Sequence, residues 1–289
     1  MIKESKSRRV FTIWNYLFLS LLGLVMLLPF LHVLAGSFSS GNAIIQGKVT
    51  ILPVEFNFLN YQAVLNDVAI WKSFGISVFV TIVGTTINLL LTALMAYGLS
   101  KSNLKGRSFF ILVVLFTMIF HAPMIPSYLV VKELGMLNTL WSIMIPNAIS
   151  AFNLIILMSF FQNIPKDLLE SAKIDGCGEY RTWWKIVLPL SMPAMTTVGL
   201  FYAVGHWNGY FNSLMFIRNS SLFPLQVKLR KLLVESDAEA MMQSVELTLS
   251  SIEGIKMAAI MVATLPILFI YPFIQKYFAQ GAMLGSIKE

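Results

Sequence analysis

The chain has 289 residues, 57% of them hydrophobic, and carries 21 Lys and Arg against 14 Asp and Glu. With 12% charged residues and a mean hydropathy of +0.74, the composition excludes a water-soluble globule and points to a membrane chain. A single cysteine, Cys177, rules out an intrachain disulfide and argues against a cysteine-based metal site.

Charge-free windows cover residues 10–47, 73–100, 108–131, 134–165, 186–217 and 257–275. Each accommodates one helix of the roughly 20 apolar residues that a bilayer core requires. The expected fold is all-α, a single membrane domain over 1–289 with six spans near 13–35, 73–99, 109–131, 139–161, 192–216 and 256–278. Lys3, Lys6, Arg8 and Arg9 precede the first span, but its apolar run is too long for a signal-peptide core, so it is expected to be an uncleaved anchor. "GNAIIQGKV", Gly41 to Val49, fails as a phosphate loop: it has one residue too many between its glycines, and Val49 stands where Ser or Thr would hold magnesium. Pro123 and Pro126 in the third span, and Pro266 and Pro272 in the sixth, are candidate bend points.

Placing the N-terminus inside puts 13 Lys and Arg on the inner segments and eight on the outer ones; acids divide six to eight. The formal +7 therefore falls on the inner face, as the positive-inside rule requires. The basic balance signals topology and calls for no nucleic acid. Both termini, the 162–190 segment and the 279–289 tail are expected in the cytoplasm, and the 217–255 loop outside, with an amphipathic helix over 225–244.

"LLESAKIDGCGEYRTWWKIVLPL", residues 168–190, places six charges between apolar runs. At about 2.5–3.5 kcal/mol per charge it cannot be a span. Asn163 is a candidate cap, Pro165 lies near the first helical turn, and Asp167 and Glu170 lie toward the positive helix end. Leu168, Leu169 and Ala172 form an apolar stripe, and Gly176 stands where a left-handed terminator is expected. A second helix is predicted from about Glu179 to Val187, ended by Pro189. This elbow admits three readings: an interfacial loop whose tryptophans sit among headgroups, a DNA-reading helix–turn–helix, or a knob that docks a cytoplasmic protein. Three bases against three acids make a poor phosphate binder.

Glu170-Ser171-Ala172, three residues, Gly176, nine residues, then Ile186-Val187-Leu188-Pro189 resembles the EAA loop of ABC importer permeases, with Ser171 replacing the middle alanine. Ile164-Pro165, Asp175-Gly176, Pro189-Leu190 with Pro193, Asn138-Thr139 and Trp207-Asn208 are similar to the carbohydrate-uptake, maltose-importer-like branch. The resemblance covers about residues 10 to 289 and implies the type I importer permease fold. It further implies that Glu170, Ser171, Ala172, Asp175, Gly176, Ile186, Leu188 and Pro189 form a coupling helix seated in an ATPase subunit. ATP and Mg would belong to two such partner subunits, alongside a second permease and an extracellular binding protein. In the family the Gly-rich tail reaches toward the ATPase, which would assign that role to an extended Gly281 and Gly285.

Proton- or sodium-driven carriers keep an ionisable group near midplane. Here the spans offer only His32, His121 and His206, well separated in sequence, beside the neutral amides Asn88, Asn147 and Asn153. Trp207, Asn208, Tyr210, Phe211 and Asn212 combine aromatic faces with amides, the groups that hold a sugar ring. Trp207, Asn208, Tyr210, Asn212 and Asn153 are thus the candidate substrate path, with helix packing as the competing role for each. The expectation is a non-enzymatic subunit of an ATP-driven sugar or oligosaccharide importer in a bacterial inner membrane, with no cofactor or metal of its own. A permease for a peptide or polyamine, or a membrane-anchored docking or signalling protein, stands as the alternative.

Overall fold

A computed structural model of the chain describes residues 6–120, 122–234 and 252–284. Helices account for the regular structure, and no strand occurs among the described residues. Among the described residues, three helices are long and apolar enough to cross a bilayer: Ser7–Ser37 within α1 (Lys6–Ser37), α4 (Val68–Ser100), and Ile252–Pro272 within α15 (Ile252–Leu284). Two bent pairs raise the count to at most five. One joins α5 (Arg107–Ile119) to α6 (Met124–Glu133) at 118°, and the other joins Glu179–Leu190 to α12 (Met192–Trp207) at 84°.

The six spans expected from hydropathy are therefore not all continuous. The third breaks ahead of Pro123, which has no N–H to donate and stands as the N-cap of α6. The fourth, expected over 139–161, divides into α7 (Trp141–Met144), an irregular stretch containing Pro146, and α8 (Ala151–Gln162). The fifth begins at Met192 as expected but breaks after Trp207, and α13 (Phe211–Phe216) resumes it. By contrast α15 continues through Pro266 and Pro272.

Two compact units divide the chain. The first comprises residues up to Ile70 with Leu229–Pro266. There the end of α1 is held by side chains that satisfy its last carbonyls. Asn60, on α3 (Leu59–Asn66), donates to the carbonyls of Ser37 at 3.2 Å and Ser39 at 3.0 Å, while the Ser37 hydroxyl meets Tyr61 Oη at 3.0 Å. Gly254 of α15 lies against Asn60, where a Cβ would come within 2.6 Å of the amide. Ser40 caps α2 (Gly41–Ile45), accepting from the Ala43 N–H. The apolar window of α1 buries nothing within this chain.

The second unit comprises Trp71–Lys228 with residues from Ile267 on. Its main core joins Ala93, Ala96 and Leu99 of α4 to Leu154, Leu157 and Phe161 of α8 and to Ala194, Met195, Val198 and Tyr202 of α12. Trp183 and Val187 of the elbow belong to that same core. A second cluster packs Val80, Val131, Ile143, Phe216 and Val227.

Candidate functional site

The elbow opens with α9 (Lys166–Ile174). Its N-cap is Pro165 rather than Asn163, because Asn163 is already used at the other end of the preceding helix, where its N–H reaches the Phe160 carbonyl at 3.1 Å. Asp167 in the first turn and Lys173 in the last both suit the helix dipole. Ala172 is buried and Leu169 packs against the main core, which leaves Glu170, Ser171 and Asp175 on the exposed side. Gly176 has φ +75°; its N–H reaches the Lys173 carbonyl at 3.0 Å, and the Cys177 N–H reaches Ala172 at 2.9 Å. These two bonds form the Schellman ending that favours glycine. Nothing lies within 4 Å of a Cβ built at Gly176, so backbone conformation alone accounts for the glycine there.

The second arm runs from α10 (Glu179–Thr182) through a π turn, Trp183–Val187, into α11 (Leu188–Leu190). Pro189 does not terminate it. The wider π turn precedes the proline that lacks an N–H, and the chain turns at Ser191 instead. Trp183 is buried in the core while Trp184 is exposed, so the tandem tryptophans have different surroundings. Ile186 and Leu188 are half-buried and Pro189 is exposed.

The partners of Glu179, predicted only as the start of the second helix, carried no sequence signal. Glu179 accepts a hydrogen bond from Tyr97 Oη at 2.7 Å and pairs with Lys101 at 3.1 Å and Lys173 at 3.4 Å. The Tyr97 hydrogen bond, with help from the two lysines, overcomes partial burial and lowers the Glu179 carboxyl to about 2.

A cavity of about 540 Å³ opens between α4, α8, α12 and the broken segments. Asn88, Asn147, Ser150, Asn153, His206 and Asn212 supply its polar wall, with Phe152, Phe201 and Tyr202 beside them. Asn88 Nδ2 donates to His206 Nε2 at 2.9 Å. The Tyr202 hydroxyl accepts from the Ser150 N–H at 2.9 Å and meets Thr92 Oγ1 at 2.6 Å. Tyr202 thereby satisfies the backbone exposed where the fourth span breaks. A second cavity of about 600 Å³ adjoins α6 and α13 and shares Asn147 and Asn212 with the first.

Of the five residues expected along a substrate path, Asn153 and Asn212 line this cavity. Trp207 is buried edge-on against Phe74 at 5.9 Å, and Asn208 caps α12 through its own Val204 contacts. Tyr210 packs against the second cluster. Ser150 and Tyr202 escaped sequence reasoning, since neither a backbone N–H nor a tyrosine announces a cavity. Asn138 adopts φ 60° and its side chain accepts from the Arg218 and Asn219 N–H groups, at 3.1 and 2.8 Å.

Gly281 lies inside α15, so the tail there is helical and not extended; the helical hydrogen bonds run on to Leu284. Gly285, His121 and residues 235–251 of the 217–255 loop lie outside the described residues, while α14 (Leu225–Val234) forms the start of the helix expected there. Among the described residues, His, Cys, Asp and Glu nowhere gather in threes to hold a metal.

The family model described as "Binding-protein-dependent transport system inner membrane component" matches residues 75–283. Protein LplC of Bacillus subtilis (strain 168) is 46% identical over 99% of this chain and 97% of its own. The polygalacturonan/rhamnogalacturonan transport system permease protein YtcP of the same organism is 46% identical over 97% of this chain and 99% of its own. Among solved structures, a bacterial ABC transporter involved in the import of the acidic polysaccharide alginate superposes with TM-score 0.87 at 35% identity, covering 96% of this chain and 100% of that one. A match of that length, on a chain that carries the glycine-capped elbow, identifies it as a member of the family of binding-protein-dependent transport system inner membrane components.

Proposed function

We propose that this chain is one of two permease subunits of an ATP-driven importer for a sugar or oligosaccharide, with the elbow as its coupling helix. The observation that carries the reading is the cavity wall. Among the described residues it combines amides, hydroxyls and aromatic faces with no Lys, Arg, Asp or Glu, the mixture that hydrogen-bonds and stacks on sugar rings. A polyamine or charged peptide would call for counter-charges that this wall does not offer. Relatives named for oligosaccharide, lactose and diacetylchitobiose transport agree with that choice.

In this reading Glu170, Ser171 and Asp175 face the ATPase, Gly176 sets the turn, and Ile186, Leu188 and Pro189 shape the second arm. Two cytoplasmic ATPase subunits bind ATP and Mg, a second permease completes the translocation path, and an extracellular binding protein delivers the sugar. Both termini face the cytoplasm, and the interrupted segments complete six crossings. Lipid or the second permease covers the apolar face of α1, where Phe11, Trp14, Leu17, Leu21 and Phe30 are exposed.

The test is reconstitution of the complete transporter in proteoliposomes with its binding protein. Gly176→Pro should still insert and assemble yet hydrolyse ATP without uptake, because proline cannot adopt φ +75°. Asn212→Ala should raise the sugar concentration needed for half-maximal stimulation of ATP hydrolysis. Normal uptake by Gly176→Pro would remove the coupling role, and an unchanged sugar response in Asn212→Ala would remove the cavity from the path.

A further inference from the structure

We propose that Glu179 is a positioning residue that ties both arms of the elbow to the C-terminal end of α4, so that motion of the elbow is passed to that helix. The inference rests on the coupling role proposed above.

Three elements converge on this one carboxylate. Tyr97 and Lys101 approach from the last turn of α4 and the residue after it, at 2.7 and 3.1 Å, and Lys173 approaches from the last turn of α9 at 3.4 Å. Glu179 itself is the first residue of α10. Lys101 also lies over the Tyr97 ring, 4.3 Å from its centre, which fixes the two α4-side partners against each other.

The grip is asymmetric. The Lys101 side chain is 21% exposed, whereas Lys173 and Glu179 are 53% and 55% exposed. On the α4 side Glu179 makes two short contacts with partly dehydrated groups. On the α9 side it makes one longer contact in water. The Lys173 pair closes across the Gly176–Gly178 turn, so α9 and α10 are held as one body, while the Tyr97 and Lys101 pair anchors that body to α4.

Apolar packing alone would not provide this. Trp183 and Val187 seat the elbow in the core beside Ala96 and Leu99, but hydrophobic attraction is itself non-directional. A carboxylate held by a phenol and an ammonium fixes direction and register. The Tyr97 hydrogen bond holds the carboxyl below the ordinary carboxylate range and so favours its charged form in this tie. Glu179 lies in the spacer between Gly176 and Ile186, where the recognised spacing pattern prescribes no residue.

The experiment uses the complete reconstituted transporter and counts ATP hydrolysed per sugar imported. Glu179→Ala should raise that ratio on the order of fivefold while the ATPase subunits co-purify in the wild-type proportion. The charge swap Glu179→Lys with Lys101→Glu and Lys173→Glu, which restores both ion pairs with reversed sign, should recover at least about half of the loss, as interacting pairs do. A wild-type ratio in Glu179→Ala, loss of the ATPase subunits from that variant, or no recovery in the swap would each overturn the proposal. Gly176→Pro, run in parallel, separates the two ideas. If it uncouples while Glu179→Ala does not, the coupling elbow stands and the tie falls; if both couple normally, the elbow reading itself falls.

Discussion

Gly84 on α4 permits a close approach to His206 on the polar wall of the cavity, and adding one methyl there tests that geometry. A Cβ at Gly84 would stand 2.6 Å from His206 Nε2, 2.8 Å from Cε1 and 3.0 Å from Cδ2. The ring cannot yield freely, because Asn88 Nδ2 holds Nε2 at 2.9 Å. Gly84→Ala must therefore swing His206 away and break that bond, or force α4 and α12 apart. Overpacking costs about 1–3 kcal/mol, and an interhelical hydrogen bond in a membrane protein contributes about 0.6 kcal/mol and at most about 1.7. With the gain in helix propensity of up to about 1 kcal/mol set against these costs, the expected net destabilisation is about 1–3 kcal/mol, read from reversible unfolding in mixed micelles by circular dichroism. A double-mutant cycle assigns the cause. In a His206→Ala background the clash has no target, and Gly84→Ala should be neutral or stabilising by up to about 1 kcal/mol through helix propensity. A coupling energy below about 0.5 kcal/mol would refute the reasoning, since the methyl would then be accommodated without reference to the ring.

Two further outcomes follow from single contacts. Tyr202→Phe removes the acceptor of the Ser150 N–H and the partner of Thr92; leaving these buried groups unpaired should cost about 1–3 kcal/mol in the same unfolding assay, and a change under about 0.3 kcal/mol would deny that the hydroxyl supports the broken segment. The Glu179 carboxyl is lowered from 4.5 to about 2, first by the Tyr97 hydrogen bond, so its stabilising contribution is present above the ordinary carboxylate range and is lost as pH falls toward about 2. At 55% exposure this contribution is strongly screened. A carboxyl carbon-13 titration of Glu179 should accordingly show a midpoint well below 4.5 that rises in Tyr97→Phe; a midpoint at the ordinary value would show that the bond is not formed in solution.

The elbow was legible in the sequence because its determinants are local. The glycine at position 176, the acid and base at opposite ends of α9 and the fixed spacing to Pro189 all act within one or two helical turns. The continuity of the spans was not legible, and the reason is physical. Residues 134–165 carry no charge whether the segment is one helix or two. What permits the break is a hydroxyl on Tyr202, 52 residues away from the N–H it satisfies. The partners of Glu179 lie beyond local pattern in the same way, with Tyr97 82 residues distant. Pro189 misled for a different reason: a proline is expected to end a helix, but a π turn just before it lets the arm continue to Leu190.

The positions of these breaks bear on function. Irregular backbone at membrane depth is tolerated only where protein buries it or a cavity wets it. Asn147 and Ser150 in the fourth segment, and Gly209 in the fifth, all lie on the cavity wall. The interruptions that defeat a hydropathy reading therefore mark the place where polar groups line the cavity. Tyr202 joins this wall to the rest of the molecule, since it lines the cavity and also belongs to the core that receives Trp183 and Val187 of the elbow. A closely packed core transmits displacement and does not absorb it. An elbow seated in that core and anchored to α4 through Glu179 cannot shift without altering the helices around the cavity, and that is the physical link the proposed coupling role calls for.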